Sequence, residues 1–270
     1  MKNLIKKVVP PQFIRLVQRC SRMIQQRSTP LLTRYMGDAE SVLQCCISYN
    51  ELGGYCVPLS SRHRPAAQKV LSGNIWEPET IEFMSLNCGD GDIVHAGTYF
   101  GDFIPELSRA CSADAKVWAF EPNPENYRCA SITMLINGLS NVVLTNAGLG
   151  SQRCSLPMMI SDATGRSLGG VSRLIESVGK NNSDQCATVE IVRIDDVVPP
   201  GRKVSILQLD VEGFEQQALS GAIETIKRCK PILILENLPE RDWLNEHIYH
   251  LGYHVVGKVH SNSILEYRRS

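Results

Sequence analysis

The chain has 270 residues, 43% of them hydrophobic and 21% charged, and its 28 basic and 28 acidic side chains give a formal net charge of zero. This is the composition of an ordinary globular protein; it excludes a low-complexity chain and supplies no global field to draw in nucleic acid. No nucleic-acid partner is expected.

Ten cysteines are scattered without a CxxC pair or a Cys/His cluster. They are read as small apolar residues of a reducing cytoplasm, with no structural zinc. No run of about 18 apolar residues exists, so no transmembrane helix is expected. The N-terminus lacks the apolar core and the cleavage site of a signal peptide, and the expected compartment is the cytoplasm.

Residues 1–75 read as an N-terminal helical extension. Phe13, Leu16, Val17, Cys20 and Ile24 fall on one side of a helix, with Arg15, Arg19 and Arg22 on another. No acidic residue occurs before position 36. Packing of this stripe on the body of the protein is the expectation; docking in a homo-oligomer or on an anionic membrane surface are its alternatives. Gly53-Gly54 and residues 60–65 read as loop.

Residues 76–270 form the second expected domain. Short apolar, mostly β-branched runs at 93–94, 116–120, 141–145, 204–209 and 232–235 alternate with amphipathic stretches, such as that carrying Phe214, Ala218, Leu219, Ala222, Ile223 and Ile226. This order predicts an α/β fold with a doubly wound, mostly parallel sheet. Residues 253–259 and 264–267, separated by Ser261-Asn262-Ser263, predict a terminal β-hairpin. Residues 148–186 are rich in Gly, Ser, Asn and Asp and read as a long excursion over an acceptor site.

Four strand ends carry the chemistry. After the first come His95-Ala-Gly97-Thr98-Tyr99-Phe100-Gly101 and then a helix. Glycines there let the backbone approach a ligand, and the helix start offers free N–H groups. The second strand ends in Phe120-Glu121-Pro122-Asn123-Pro124, with Glu121 about 20 residues beyond the glycine turn, where a carboxylate accepts hydrogen bonds from ribose hydroxyls. Asn123 and Pro124 form a helix cap and first turn. The fourth and fifth strands end in Asp210-Val211-Glu212-Gly213 and Leu235-Glu236. Their carboxylates converge on the ligand crevice, where they could take a proton, hold a cationic cofactor or bind a divalent metal. Asp210 or Glu212 could equally cap the following helix. Spacing alone supports an adenosine cofactor and does not separate a methyl donor from a nicotinamide.

Read together with Trp76-Glu77-Pro78-Glu79-Thr80, these blocks resemble the FkbM-type methyltransferases over residues 75–268. The resemblance implies a class I methyltransferase-like fold, S-adenosylmethionine as methyl donor (leaving S-adenosylhomocysteine), and a hydroxyl on a sugar or secondary metabolite as acceptor. It places Glu77, His95, Gly97, Thr98, Phe100, Gly101, Glu121, Asn123, Asn146, Ala147 and Asp210 along the cofactor. Asp210, Glu236 and His95 are the acid–base candidates, in that order. A small-molecule or glycan acceptor is expected, and no metal. His95 and Thr98-Tyr99 depart from the family, which usually has Asp and Ala-Asn there, so the methionine end is held differently or more weakly. A nicotinamide-dependent oxidoreductase and a non-catalytic cofactor-binding protein are the rivals. The missing G-x-G-x-x-G spacing and the terminal hairpin argue against the oxidoreductase.

Overall fold

The computed structural model describes residues 42–175, 177 and 183–268. The expected amphipathic helix over residues 13–24 lies outside them. Gln44–Ser270 form one compact unit.

The unit opens with a hairpin of β1 (Cys45–Asn50) and β2 (Gly53–Pro58), followed by α1 (Pro65–Leu71) and α2 (Pro78–Asn87). The described part of the helical extension over 1–75 is thereby corrected: much of it is strand. Gly53-Gly54 sits in β2, and Asn137 brackets Gly54, accepting from its N–H at 3.0 Å and donating to its carbonyl at 2.6 Å. A side-chain amide here substitutes for a neighbouring strand, so a glycine pair that reads as loop becomes ordered backbone.

There follow β3 (Asp92–Ala96), α3 (Ile104–Ala110), β4 (Val117–Phe120), α4 (Pro124–Asn137) and β5 (Val142–Thr145). Next come β6 (Gly148–Leu149), β7 (Cys154–Met159), β8 (Arg173–Leu174) and β9 (Cys186–Val192). The chain closes with α5 (Ile194–Val197), β10 (Val204–Leu209), α6 (Glu215–Ser220), α7 (Ile223–Cys229), β11 (Ile232–Leu235), α8 (Arg241–His247), β12 (Tyr253–Val259) and β13 (Asn262–Tyr267). No helix among the described residues is long and apolar enough to cross a membrane.

The main sheet runs β12-β13-β11-β10-β3-β4-β5. Strands β11, β10, β3, β4 and β5 are parallel, β13 is antiparallel to β11, and β12 is antiparallel to β13. Alternate residues feed two cores. Val94, Ala96, Leu207, Leu209, Leu233 and Leu235 pack with Leu219, Ile226 and Leu244 from α6, α7 and α8. Ile93, Ile206 and Ile234 pack with Met84 of α2 and Leu107 of α3. Burial on both faces is why these strands read as continuous apolar runs.

Residues 148–186 are also corrected. Within the excursion β6, β7 and β8 join β9 in a second sheet, ordered β6-β9-β7-β8, with β7 antiparallel to β9, while described residues 160–172 are mostly irregular.

At the amino edge of the main sheet Asp92, 1% exposed, ties three segments together. It accepts from Trp118 Nε1 at 2.7 Å, Lys116 N at 2.9 Å and Arg202 Nε at 2.8 Å. Asp92→Ala strands these donors, and we expect it to cost about 3 kcal/mol, the scale for a lost buried charge-assisted network. Urea denaturation at pH 7 measures this; a loss below about 0.5 kcal/mol would be surface-like and contrary to the account.

Candidate active site

The site lies where the chain leaves β3 toward β4 on one side and where β10 adjoins it on the other, the switch point of a parallel sheet at its carboxyl edge. Gly97 has φ 86°, and a Cβ there would lie 2.0 Å from the Asp210 carbonyl oxygen. Only glycine fits. The turn continues through Tyr99 at φ 51°, an unusual conformation for a large side chain. Its backbone N–H donates to Glu121 Oε2 at 2.7 Å, while Asn123 N donates to Oε1 at 2.8 Å. Glu121 therefore fastens the glycine turn to the end of β4. Burial pushes its carboxyl up to about 8, against the lowering effect of these N–H donors.

Two lobes of one cleft meet over Gly97 and Asp210. The narrow lobe, about 30 Å³, is walled by Phe120, Pro122, Ala147, Leu149, Met158 and Leu174, with Glu121 and Ser172 as polar contacts. The larger lobe, about 330 Å³, is bounded by Arg64, Trp76, Glu77, His95, Tyr99, Asp102, Phe103, Gln208, Asp210, Glu212 and Glu236. Gly170 and Glu212 touch both.

Acid crowds the larger lobe. Burial, then Glu236, drives Asp210 well above the usual carboxylate range. Burial raises Asp102 to about 7, and burial with Glu236 and Glu215 raises Glu212 to about 7. Arg64 donates to Ser167 O at 3.2 and 3.3 Å. His95 is 2% exposed, stacks on Phe103 at 5.3 Å, and places Nδ1 2.6 Å from Gln208 Oε1. Burial lowers it to about 4, so it is neutral at pH 7.

Of the residues singled out in the sequence, Glu77, His95, Gly97, Glu121, Ala147, Asp210 and Glu236 line the cleft. Thr98, Phe100, Gly101, Asn123 and Asn146 do not. Thr98 and Phe100 are fully buried, and the Phe100 ring packs against Tyr99 and Tyr55. Gly101 takes φ 86° to turn the chain toward α3. Asn123 caps α4 through Oδ1 and donates to Ser172 Oγ at 3.1 Å. Asn146 donates to the Glu121 and Pro122 carbonyls at 2.8 and 3.2 Å. These five shape the site from behind. Glu77, at φ 45° ahead of α2, accepts from Thr80 and Asn262 at 2.9 and 3.2 Å.

Sequence reasoning missed Asp102, Gln208, Arg64 and the walls from β7 and β8. It also missed what Tyr99 does. The Tyr99 hydroxyl meets Ser61 Oγ at 2.6 Å, and its ring lies flat under Gly170, where a Cβ would come within 3.2 Å of it. It wedges the second sheet's connecting segment onto the glycine turn. The sole sequence signal was a large aromatic residue inside a glycine turn.

The model of the family described as "Methyltransferase FkbM domain" matches residues 95–255, more than half of the chain. No curated protein matches. A solved FkbM methyltransferase from Methylobacillus flagellatus is 16% identical with a TM-score of 0.45, covering 66% of this chain and 44% of its own. The chain thus spans less than half the length of that relative. A methyltransferase from Geobacter sulfurreducens is 18% identical, covers 73% of this chain and 81% of its own, and has a TM-score of 0.41. An S-adenosylmethionine-dependent methyltransferase from Aquifex aeolicus is 12% identical, with 75% and 92% covered and a TM-score of 0.39.

The raised carboxyls fix a pH dependence. Glu121, Asp102 and Glu212 hold protons in the folded chain that an unfolded chain has already lost above about pH 5. Their stabilisation is complete at low pH and is lost as pH rises through about 7 to 8. His95 runs the other way, its contribution being lost as pH falls below about 6.5. In the ligand-free protein the melting temperature should therefore fall between about pH 6.5 and 8.5, and Glu121→Gln should flatten the fall. A wild-type melting temperature that rises across that window would be the contrary result.

Proposed function

Because the chain belongs to the FkbM methyltransferase family, we propose that it transfers the methyl group of S-adenosylmethionine to a hydroxyl of a sugar, glycan or secondary metabolite. When bound, that cofactor supplies a methyl carbon activated by its sulfonium. The residues fit it. An apolar lobe suits adenine, Glu121 on its wall suits the ribose hydroxyls, and bare Gly97 admits the backbone to close contact. The carboxylates of the larger lobe suit a cationic sulfonium and ammonium. The observation that carries the reading is that an apolar and an acidic lobe share Gly97, Gly170, Asp210 and Glu212 in their walls.

The chain's own tasks are then to align donor and acceptor, exclude water and receive the acceptor's proton. Trp76, Tyr99 and Phe103 give the larger lobe apolar walls beside its carboxylates, the mixture that an acceptor with both ring carbons and hydroxyls requires. In this reading Asp210, which lines both lobes, receives that proton, with Glu236 and then His95 as the other acid–base candidates.

Calorimetry with S-adenosylmethionine and with NAD tests this directly. S-adenosylmethionine should bind and NAD should not; the reverse would favour a nicotinamide enzyme. Glu121→Ala loses one or two hydrogen bonds to ribose, each worth about 0.5–1.5 kcal/mol from a neutral carboxyl and more once it ionises, and should weaken the cofactor by about tenfold. An unchanged affinity in a correctly folded variant would remove Glu121 from the ribose site.

A further inference from the structure

The methionine end of S-adenosylmethionine carries an ammonium and a carboxylate on one carbon. The larger lobe is well supplied for the first and poorly for the second. Glu77, Asp102, Asp210, Glu212 and Glu236 all line it, and any of them that is ionised repels a carboxylate. The anionic group needs a donor elsewhere in the walls.

The glycine turn is the first place to look, because backbone N–H groups at such turns commonly hold anions. In this chain they are already committed. Gly97 and Thr98 both donate to the Phe120 carbonyl at 3.2 Å, and Gly101 donates to the Thr98 carbonyl at 2.8 Å. The Tyr99 N–H goes to Glu121 Oε2 at 2.7 Å. A turn that spends its N–H groups on holding its own shape leaves the anion to a side chain.

Arg64 is that side chain. It is the sole lysine or arginine lining the lobe among the described residues. Among those residues it forms no ion pair, although carboxyls from several segments share its lobe. Its position is fixed from both ends. The backbone precedes α1, donating to the Ser61 carbonyl and accepting from the Gln68 N–H, both at 2.9 Å. Its stem passes close to Gly169, where a Cβ would come within 3.2 Å of Arg64 Cγ. Nε and Nη2 then donate to the Ser167 carbonyl at 3.3 and 3.2 Å, which sets the plane of the guanidinium. A guanidinium has five N–H groups, and one edge of it is used here. The Nη1–Nη2 edge is the fork that matches a carboxylate with two parallel hydrogen bonds.

We infer that Arg64 binds the methionine carboxylate of S-adenosylmethionine through its Nη1–Nη2 edge, while Nε and Nη2 keep their hold on Ser167. This rests on the cofactor reading and extends it from the ribose to the opposite end of the molecule. The ammonium is left to the acidic wall, so each charge of the amino acid meets its opposite. Arg64 thereby selects for a cofactor with its amino acid intact over other adenosine compounds.

The test compares two ligands by calorimetry on the full-length protein: S-adenosylhomocysteine and its decarboxylated analogue, which keeps the adenosine, the sulfur and the ammonium. The quantity read is the ratio of their affinities, because it isolates the carboxylate from everything the two ligands share. In Arg64→Gln that ratio should fall about 10- to 100-fold from the wild-type value, the scale of hydrogen bonds to a charged group. Arg64→Met, which keeps the stem and loses the charge, should do the same. Lys258→Gln, on the exposed part of β12, should leave the ratio unchanged. Melting curves establish which variants fold. A ratio within about threefold of wild type in either folded Arg64 variant overturns the assignment, as does a fall produced by Arg173→Gln and not by Arg64→Gln. Glu121→Ala keeps this inference apart from the cofactor reading, since it should weaken both ligands alike. If S-adenosylhomocysteine binds, responds to Glu121→Ala and ignores Arg64, the carboxylate assignment fails alone; if it does not bind the wild type, both readings fall.

Discussion

The contact of Gly97 with the Asp210 carbonyl sets the geometry of the whole carboxyl edge. The Asp210 N–H donates to the Ala96 carbonyl at 3.2 Å, continuing the ladder of β3 and β10 to its last rung. One residue later Gly97 turns away with no space for a side chain. The two strands stay paired to the point where their chains part. A crevice that opens so abruptly places the glycine turn, Glu121 and the acidic strand ends around one point. A wider turn would separate the narrow lobe from the acidic one.

Around that contact the structure uses burial to hold groups in unusual states. Glu121 is pinned by two backbone N–H groups, so it organises the turn before any ligand arrives. His95 is a neutral ring, keyed to Gln208 on the facing strand and stacked on Phe103. Tyr99 is a wedge that reaches Ser61 and Gly170. The two side chains give the glycine turn an uncharged floor and a tether to the second sheet.

The parallel strands were legible in the sequence because strands buried on both faces must be apolar throughout. Glu121 and Asn123-Pro124 were legible because a strand end followed by a helix cap is a local pattern. The hairpin of β1 and β2 was not, since its order comes from Asn137, 83 residues from Gly54. The second sheet was hidden for a related reason: β6 and β8 are two residues long, too short for any period to show. Asp102 and Gln208 are ordinary polar letters in apolar runs, and the sheet register alone brings Gln208 opposite His95. Thr98 and Phe100 erred in the opposite direction. A turn that hugs a ligand with its backbone sends alternate side chains into the core, and motif spacing does not say which.

The central claim is that one cleft takes an adenosine in its narrow lobe and methyl chemistry in its acidic lobe. A crystal structure with S-adenosylhomocysteine bound tests it most directly. The account predicts adenine between Ala147 and Leu174, both ribose hydroxyls on the Glu121 carboxylate, and the sulfur over Gly97 beside Asp210. Density for the nucleoside outside this cleft, or with the ribose turned away from Glu121, would contradict it.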